Sequence, residues 1–391
     1  MNKQFFLYIN GLSDFGSRMH FIAVTALLFT FDHSELWLMM FLLARQLGGI
    51  LSSLFAGVLA DRFDRRWLMI TSDVTCGIAV LSILLVPQPA IVMLSAFVLG
   101  VTYSVFDVSF QASIPKMFEQ ETVLSTNARL VRFSSLAGLI GFAVSGFVSD
   151  RLGYQWIILF DASTFFLSAA VLGILRWESK PERRGAAPQI MQELVSVWRY
   201  VQNAPVLLLV IVTSFFYAFG GTSWNYGLPV FSQALTEHAS MYNGLMWSMI
   251  GFGSFLGSFF LPRLRNLPLM PALYTSMTLF ALLITLVFAS DDVIVVLVCL
   301  FLAGLVDAAT QTFHRTLIQQ ADNAIRGRVL GVQALLNRVG YLCGFLVVPV
   351  ILGWTQLFTM VLIIQGGIVG AILAGAGLSL WKRSRRAANR L

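Results

Sequence analysis

Charge is the scarcest commodity in this chain. Of 391 residues only 12% are Asp, Glu, Lys or Arg, about half of what a soluble domain of this length carries, and 57% are hydrophobic. A folded soluble core cannot hide that much apolar surface, so the excess must face lipid. Cysteine is nearly absent as well. Cys76, Cys299 and Cys343 all sit in apolar runs, and their odd number and spacing exclude a disulfide framework and the usual zinc ligand sets. The four histidines, His20, His33, His238 and His314, are scattered and build no ligand cluster. No G-x-x-x-x-G-K-[ST] loop occurs, so nucleotide hydrolysis is not the energy source. No nucleophile–base pair is apparent, and neither catalytic nor metal-binding residues are assigned.

What is there is a series of long apolar runs. Spans are expected near 4–30, 36–60, 66–87, 90–113, 130–149, 155–176, 205–232, 240–262, 269–289, 293–313, 330–352 and 357–381. Pro87-Gln88-Pro89 divides an uncharged stretch over 74–106 into two helices, and Asp291-Asp292 divides another. Helices satisfy their own backbone groups in lipid, and runs this long exclude a β-barrel. The first run lacks a basic leader and a cleavage site and reads as a span, not a signal peptide. The expected fold is therefore an all-α membrane protein of twelve transmembrane helices in two pseudo-symmetric six-helix bundles.

Orientation follows from the basic residues. With the N-terminus in the cytoplasm, Lys3, Arg62, Arg65, Arg66, Lys116, Arg129, Arg132, Arg176, Lys180, Arg183, Arg184, Arg199, Arg263, Arg265, Arg315, Arg326, Arg328 and the tail from Lys382 to Arg390 lie inside or at that boundary. Outside there is only Arg151. The net charge of +7 is thus topology, and no nucleic-acid partner is implied. The partners expected are the bilayer and a small-molecule substrate, with the chain a monomer in a bacterial inner membrane and both termini cytoplasmic.

The longest hydrophilic interval separates residues 1–176 from 205–391. Within this linker, 177–204, Ile190, Leu194, Val197, Trp198 and Val201 recur at helical spacing, either as an amphipathic helix on the membrane face or as a plain helical connector. The two halves echo each other weakly. Gly57 to Arg66 after span two and Gly257 to Asn266 after span eight both place a Gly in the last helical turns before a short basic hairpin. Six-helix repeats suit a rocking transporter.

Residues 57–69, GVLADRFDRRWLM, closely resemble the major facilitator loop pattern G-x-L-a-D-R-x-G-R-[KR]. Gly57, Leu59, Ala60, Asp61, Arg62, Arg65 and Arg66 match, and Asp64 replaces the usual glycine. Ser13-Asp14-Phe15-Gly16, Phe160-Asp161-Ala162, Asn225 to Pro229 and Arg326 to Val329 resemble the subgroup with the macrolide efflux proteins and the enterobactin exporter. Superfamily exporters often carry Gly-Pro in span five, where this chain has Gly138, Gly141 and Gly146 but Phe142 at the proline position. The resemblance implies a cytoplasmic gate of Gly57, Asp61, Arg62, Arg65, Arg66 and Asp107. In it the loop acid meets the start of span eleven and Arg65 pairs with Asp107. It also implies that spans three and six, with Asp73 and Asp161, pack on the outside in a structural role.

An ionisable residue inside a span costs roughly 2.5–3.5 kcal/mol and needs a reason. Asp14, Arg18, Arg45, Asp307 and Arg338 lie on spans that line the cavity in relatives and are candidates for substrate binding or proton coupling. Asp14 and Arg18, spaced i, i+4, are either a working pair or a mutual neutralisation. Trp224 and Tyr226 in aromatic-rich span seven are candidate ligand contacts, and Gly220-Gly221 is a place for that helix to bend or unwind. The arginines favour an acidic amphiphile. The function expected is proton-coupled export of an amphiphile such as a carboxylate siderophore or antibiotic, with a proton gradient and no cofactor. Asp14 or Asp307 would take a proton as substrate leaves. Uptake of an anionic metabolite, lysophospholipid flipping and a receptor or scaffold role are the alternatives.

Overall fold

The structure is a computed structural model that describes residues 3–117, 123–175, 199–202, 204–260, 267–319 and 326–388. Twelve long helices occupy these segments. They are α1 (Lys3–Leu28), α2 (Ser34–Arg62), α3 (Arg65–Leu85), α4 (Pro89–Met117), α5 (Val123–Arg151), α6 (Tyr154–Ile174), α7 (Pro205–Leu235), α8 (Ala239–Phe260), α9 (Leu269–Phe288), α10 (Val293–Gln319), α11 (Arg326–Leu352) and α12 (Leu357–Ala388). There is no strand among the described residues. The amphipathic helix expected within 177–204 lies almost wholly outside them.

The helix breaks have local causes. Pro89 opens α4, where its missing N–H costs nothing. Asp292 accepts from the amides of Ile294 (2.7 Å) and Val295 (3.3 Å) and caps α10. Gly153 takes φ +92° between α5 and α6, a conformation that side chains rarely adopt. Asp64 is the N-cap of α3, with φ −62° and its carboxylate on the amide of Arg66 at 2.9 Å. The position that holds glycine in the family pattern therefore needs no left-handed backbone here.

Ten helices, α2–α7 and α9–α12, are long and apolar enough to cross a membrane. Large apolar side chains on their flanks face outward, among them Leu85, Ile294 and Leu373. Helices α1 and α8 are long enough, at 26 and 22 residues, but less apolar. They touch each other. Asn243 of α8 donates to Thr25 of α1 at 3.3 Å, and Trp247 of α8 packs on Phe21 of α1 with ring centroids 5.1 Å apart.

The chain forms two compact units, Met1–Pro188 with Leu228–Gly251, and Gln189–Gly227 with Phe252–Leu391. In the first, α2 packs along α4, α3 along α4 and α6, and α1 along α5 and α6. In the second, α9 packs on α10 and α12. Glycines set the closest crossings, since lipid supplies no hydrophobic drive and packing must hold the helices together. A Cβ on Gly48 would stand 2.2 Å from the Phe97 carbonyl oxygen, and one on Gly100 would stand 2.2 Å from that of Arg45. In the second unit a Cβ on Gly253 would stand 1.9 Å from the Phe301 oxygen and 3.0 Å from Gly304. Ser104 donates to the Gly49 carbonyl at 3.4 Å, and Ser254 donates to that of Gly304 at 3.0 Å. The α2–α4 and α8–α10 crossings are thus the same device used twice.

The two glycines of the sequence echo differ in their surroundings. Gly257 packs against Leu305 and Ala308 of α10, whereas a Cβ on Gly57 would meet nothing within 4 Å. The tight crossings match Gly48 with Gly253 and Gly100 with Gly304.

Candidate functional site

The charged residues of the first unit converge on α1. Asp14 and Arg18 do pair, with Nε–Oδ1 3.4 Å, and remain 24% and 42% exposed, so neither is sealed in the core. Arg18 also donates to Ser134 of α5 at 3.3 Å, and its guanidinium lies 6.0 Å from the Phe142 ring centroid. Phe142 stacks toward Trp247 at 5.3 Å, and Trp247 toward Phe21 at 5.1 Å. The residue that stands in place of the span-five proline therefore builds an aromatic wall beside a half-exposed arginine. Helix α5 comes this close because Gly141 faces the Phe15 carbonyl and the Arg18 Cβ, each 3.3 Å from a Cβ built there.

One turn along α1 is a second, buried cluster. His20 Nδ1 lies 3.2 Å from Asp161 Oδ2, and both side chains are 1% exposed. Arg45 lines the same small cavity, with Ser17, Cys76 and Tyr103. His20 thus has a partner that its place in the sequence does not reveal, and Asp161 reaches α1 from α6. Asp73 of α3 is 4% exposed. Among the described residues no group of three or more His, Cys, Asp or Glu side chains is placed to hold a metal ion.

In the second unit Asp307 is half-buried and accepts from the Tyr217 hydroxyl, so it is not a lone carboxylate. The Tyr217 ring packs on Phe280 at 5.4 Å and lies 6.1 Å from His314, which meets Thr213 at 3.3 Å. Trp224 stands edge-on to Phe280 at 6.2 Å. Tyr226 is only 2% exposed. Arg338 is half-buried on α11. Helix α7 does not unwind at Gly220-Gly221. A Cβ on Gly220 would collide with Ile368 at 2.1 Å, and one on Gly221 with Tyr341 at 2.8 Å, so the glycines admit neighbouring side chains. Gln365 secures the spot by donating to the Gly220 carbonyl (3.2 Å) and Ser223 (2.8 Å).

The loop between α2 and α3 is stapled to helix carbonyls. Arg65 donates to the carbonyls of Ala60 (3.1 Å) and Ala112 (2.9 Å), the latter on α4 beyond the exposed Asp107. Arg66 donates to Leu172 (2.8 Å) and Gly173. Those last two carbonyls end α6, where unpaired acceptors and the helix dipole favour a cation. Arg62 is exposed, Gly57 adjoins open space, and the Asp61 side chain lies outside the described residues.

Known proteins share this architecture. A family profile for the Major Facilitator Superfamily matches residues 6–345. The chain is 23% identical to the enterobactin exporter EntS of Citrobacter koseri over 304 residues, covering 73% of this chain and 69% of that one. It is 23% identical to EntS of Escherichia coli over 297 residues, with the same coverage. Among solved structures, the nucleoside transporter NupG superposes with a TM-score of 0.78 at 14% identity, over 96% of this chain and 99% of that one. A peptide transporter of the POT family gives 0.74 at 13% identity, over 98% and 96%. Identities that low establish the fold alone.

Proposed function

The chain belongs to the Major Facilitator Superfamily, and from that premise we propose that it exports an amphiphilic small molecule carrying an acidic group, driven by a proton gradient. It is a multi-pass membrane transporter and not an enzyme. The observation that carries the substrate class is the surface around Arg18. A half-exposed guanidinium stands beside the aromatic wall of Phe142, Trp247 and Phe21. An arginine fork suits a carboxylate, and aromatic faces suit the apolar body of the same molecule. The relatives named enterobactin exporters support export as the direction, and the arginine and aromatic surface supports a carboxylate siderophore or antibiotic as the cargo.

Asp14 and the anionic substrate compete for Arg18, and Asp14 or Asp307 takes a proton as the substrate leaves, so that proton and substrate occupy the site in turn as export against a proton gradient requires. Asp307, bonded to Tyr217, is the candidate acid of the second unit, and Arg338 on α11 is the candidate arginine of the same unit. The protein is a monomer of the bacterial cytoplasmic membrane with both termini inside, and it works by alternating access of two six-helix halves, 1–176 and 205–391. It needs no resident cofactor.

The test is transport into inside-out vesicles of anionic, neutral and cationic amphiphiles, with and without an imposed proton gradient. Gradient-driven accumulation of the anions, reduced roughly tenfold or more by Arg18→Gln as expected for a lost charged hydrogen bond, is the expected result. No accumulation, or an equal loss across the panel, overturns the reading. Uptake from right-side-out vesicles would reverse the direction.

A further inference from the structure

We propose that Tyr103 of α4 is a specificity-determining residue of the transport site: its hydroxyl donates a hydrogen bond to the acidic group of the cargo, and its ring bears on the apolar body. The inference rests on the reading of the cargo as an acidic amphiphile, and it adds a residue of α4 to that site.

Position comes first. Tyr103 is the middle residue of α4, Pro89–Met117, and so lies near the centre of a membrane-crossing helix. It is nevertheless 58% exposed. Asp107 and Gln111 are exposed too, and residues spaced i, i+4, i+8 keep to one side of a helix. Leu94 is also exposed, nine residues before Tyr103, which at about 100° per residue puts it on the opposite side. Val98, Val101 and Val105 follow Leu94 on that side and are half-buried. Helix α4 therefore has two open faces, one wholly apolar and one made of a phenol, a carboxylate and an amide. The apolar face suits lipid. A carboxylate facing hydrocarbon is costly, so the polar face borders water.

The surroundings are charged. Gly100, one turn before Tyr103, lies so close to α2 that a Cβ there would stand 2.2 Å from the Arg45 carbonyl oxygen, which pins Arg45 beside α4. Tyr103, Arg45 and Ser17 of α1 border one small cavity. Asp107, Asp14, Arg18 and Arg45 are all within electrostatic reach of the phenol. Its hydroxyl nevertheless has no hydrogen-bond partner among the described residues.

A phenol combines a hydrogen-bond donor with a flat apolar ring. Arg18 offers a fork to a carboxylate, but a fork alone does not fix how the rest of the molecule lies. A neutral O–H beside it binds the same acidic group without adding charge. A site built to hydrogen-bond one group rejects analogues that lack it far more strongly than an apolar pocket does. Tyr103 therefore separates an acid from its neutral isostere. A tyrosine with a purely structural role would have its ring packed and its hydroxyl bonded within the protein.

Two measurements on the purified full chain in detergent test this. The first needs no cargo. With Cys76, Cys299 and Cys343 replaced by alanine, Tyr103→Cys is expected to react with a charged, water-soluble thiol reagent about tenfold faster than Leu94→Cys. Equal or reversed rates overturn the proposal. The second is equilibrium dialysis of naphthaleneacetate and its neutral amide. The native protein is expected to hold the anion more tightly. Tyr103→Phe should weaken the anion about tenfold, as for a lost hydrogen bond to a charged group, and the amide by about twofold at most. Tyr103→Leu, which also removes the ring, should weaken both. A Tyr103→Phe protein that keeps the native preference for the anion overturns the proposal. If that variant does not fold, protection of Tyr103→Cys from the reagent by the anion and not by the amide decides in favour, and lack of protection decides against. A native protein with no preference for the anion sinks the acidic-cargo reading itself, so the two failures are told apart.

Discussion

Gly16 of α1 lies flush against Asp161 of α6: a Cβ at position 16 would stand 2.8 Å from the carboxylate oxygen and 3.3 Å from the Asp161 Cα. Backbone and a buried carboxylate cannot step aside as a flexible side chain can. Gly16→Leu is therefore expected to pry the two helices apart and to cost about 1–3 kcal/mol. The melting temperature of the purified protein measures it, and an unchanged melt would show that α6 has slack against α1.

The repeated glycine crossings predict a contrast between two single-methyl changes. Gly253→Ala places a Cβ 1.9 Å from the Phe301 carbonyl oxygen and should destabilise by about 1–3 kcal/mol. Gly57→Ala meets nothing within 4 Å and should stay within about 0.5 kcal/mol. Thermal shift and monodispersity on a sizing column compare the two. Equal effects would mean that the α8–α10 crossing is not as tight as described.

The α2–α3 loop gives a functional prediction. Asp61→Asn and Arg65→Ala are expected to impair transport while leaving protein in the membrane. Asp107→Asn is expected to behave like Arg65→Ala and to add little to it, because residues acting through one contact are not additive. Fully additive losses in the double variant would separate Asp107 from Arg65.

Topology can be tested without a substrate. Fusions at Gln88 and Arg183 to a reporter active only in the periplasm should be active at Gln88 and silent at Arg183. Activity at Arg183 would invert the protein in the membrane.

The helices were largely legible because their breaks are chemical: two prolines around Gln88, two aspartates before Val293. Their ends were less so. Helix α10 continues to Gln319, past the expected 313, through Thr316 and Gln319, residues that do not register as apolar. Helix α5 begins at Val123, ahead of the expected 130, for the same reason. The Asp14–Arg18 pair was readable because i, i+4 neighbours share a helix face. The His20–Asp161 pair was not, since its members are far apart in the chain and nothing in either helix tells which face meets the other. Two motifs singled out by resemblance, Ser13 to Gly16 and Phe160 to Ala162, turn out to be the two sides of the neighbouring Gly16–Asp161 contact.

The doubled glycine crossing also serves as a ruler between the halves. Three residues before Gly48 stands Arg45, and three before Gly253 stands Ile250. Three after Gly100 stands Tyr103, and three after Gly304 stands Asp307. The two crossings thus share their contact points but not their chemistry: the same joint carries a cation nearby in one case and an acid in the other, so geometry is repeated where charge is not.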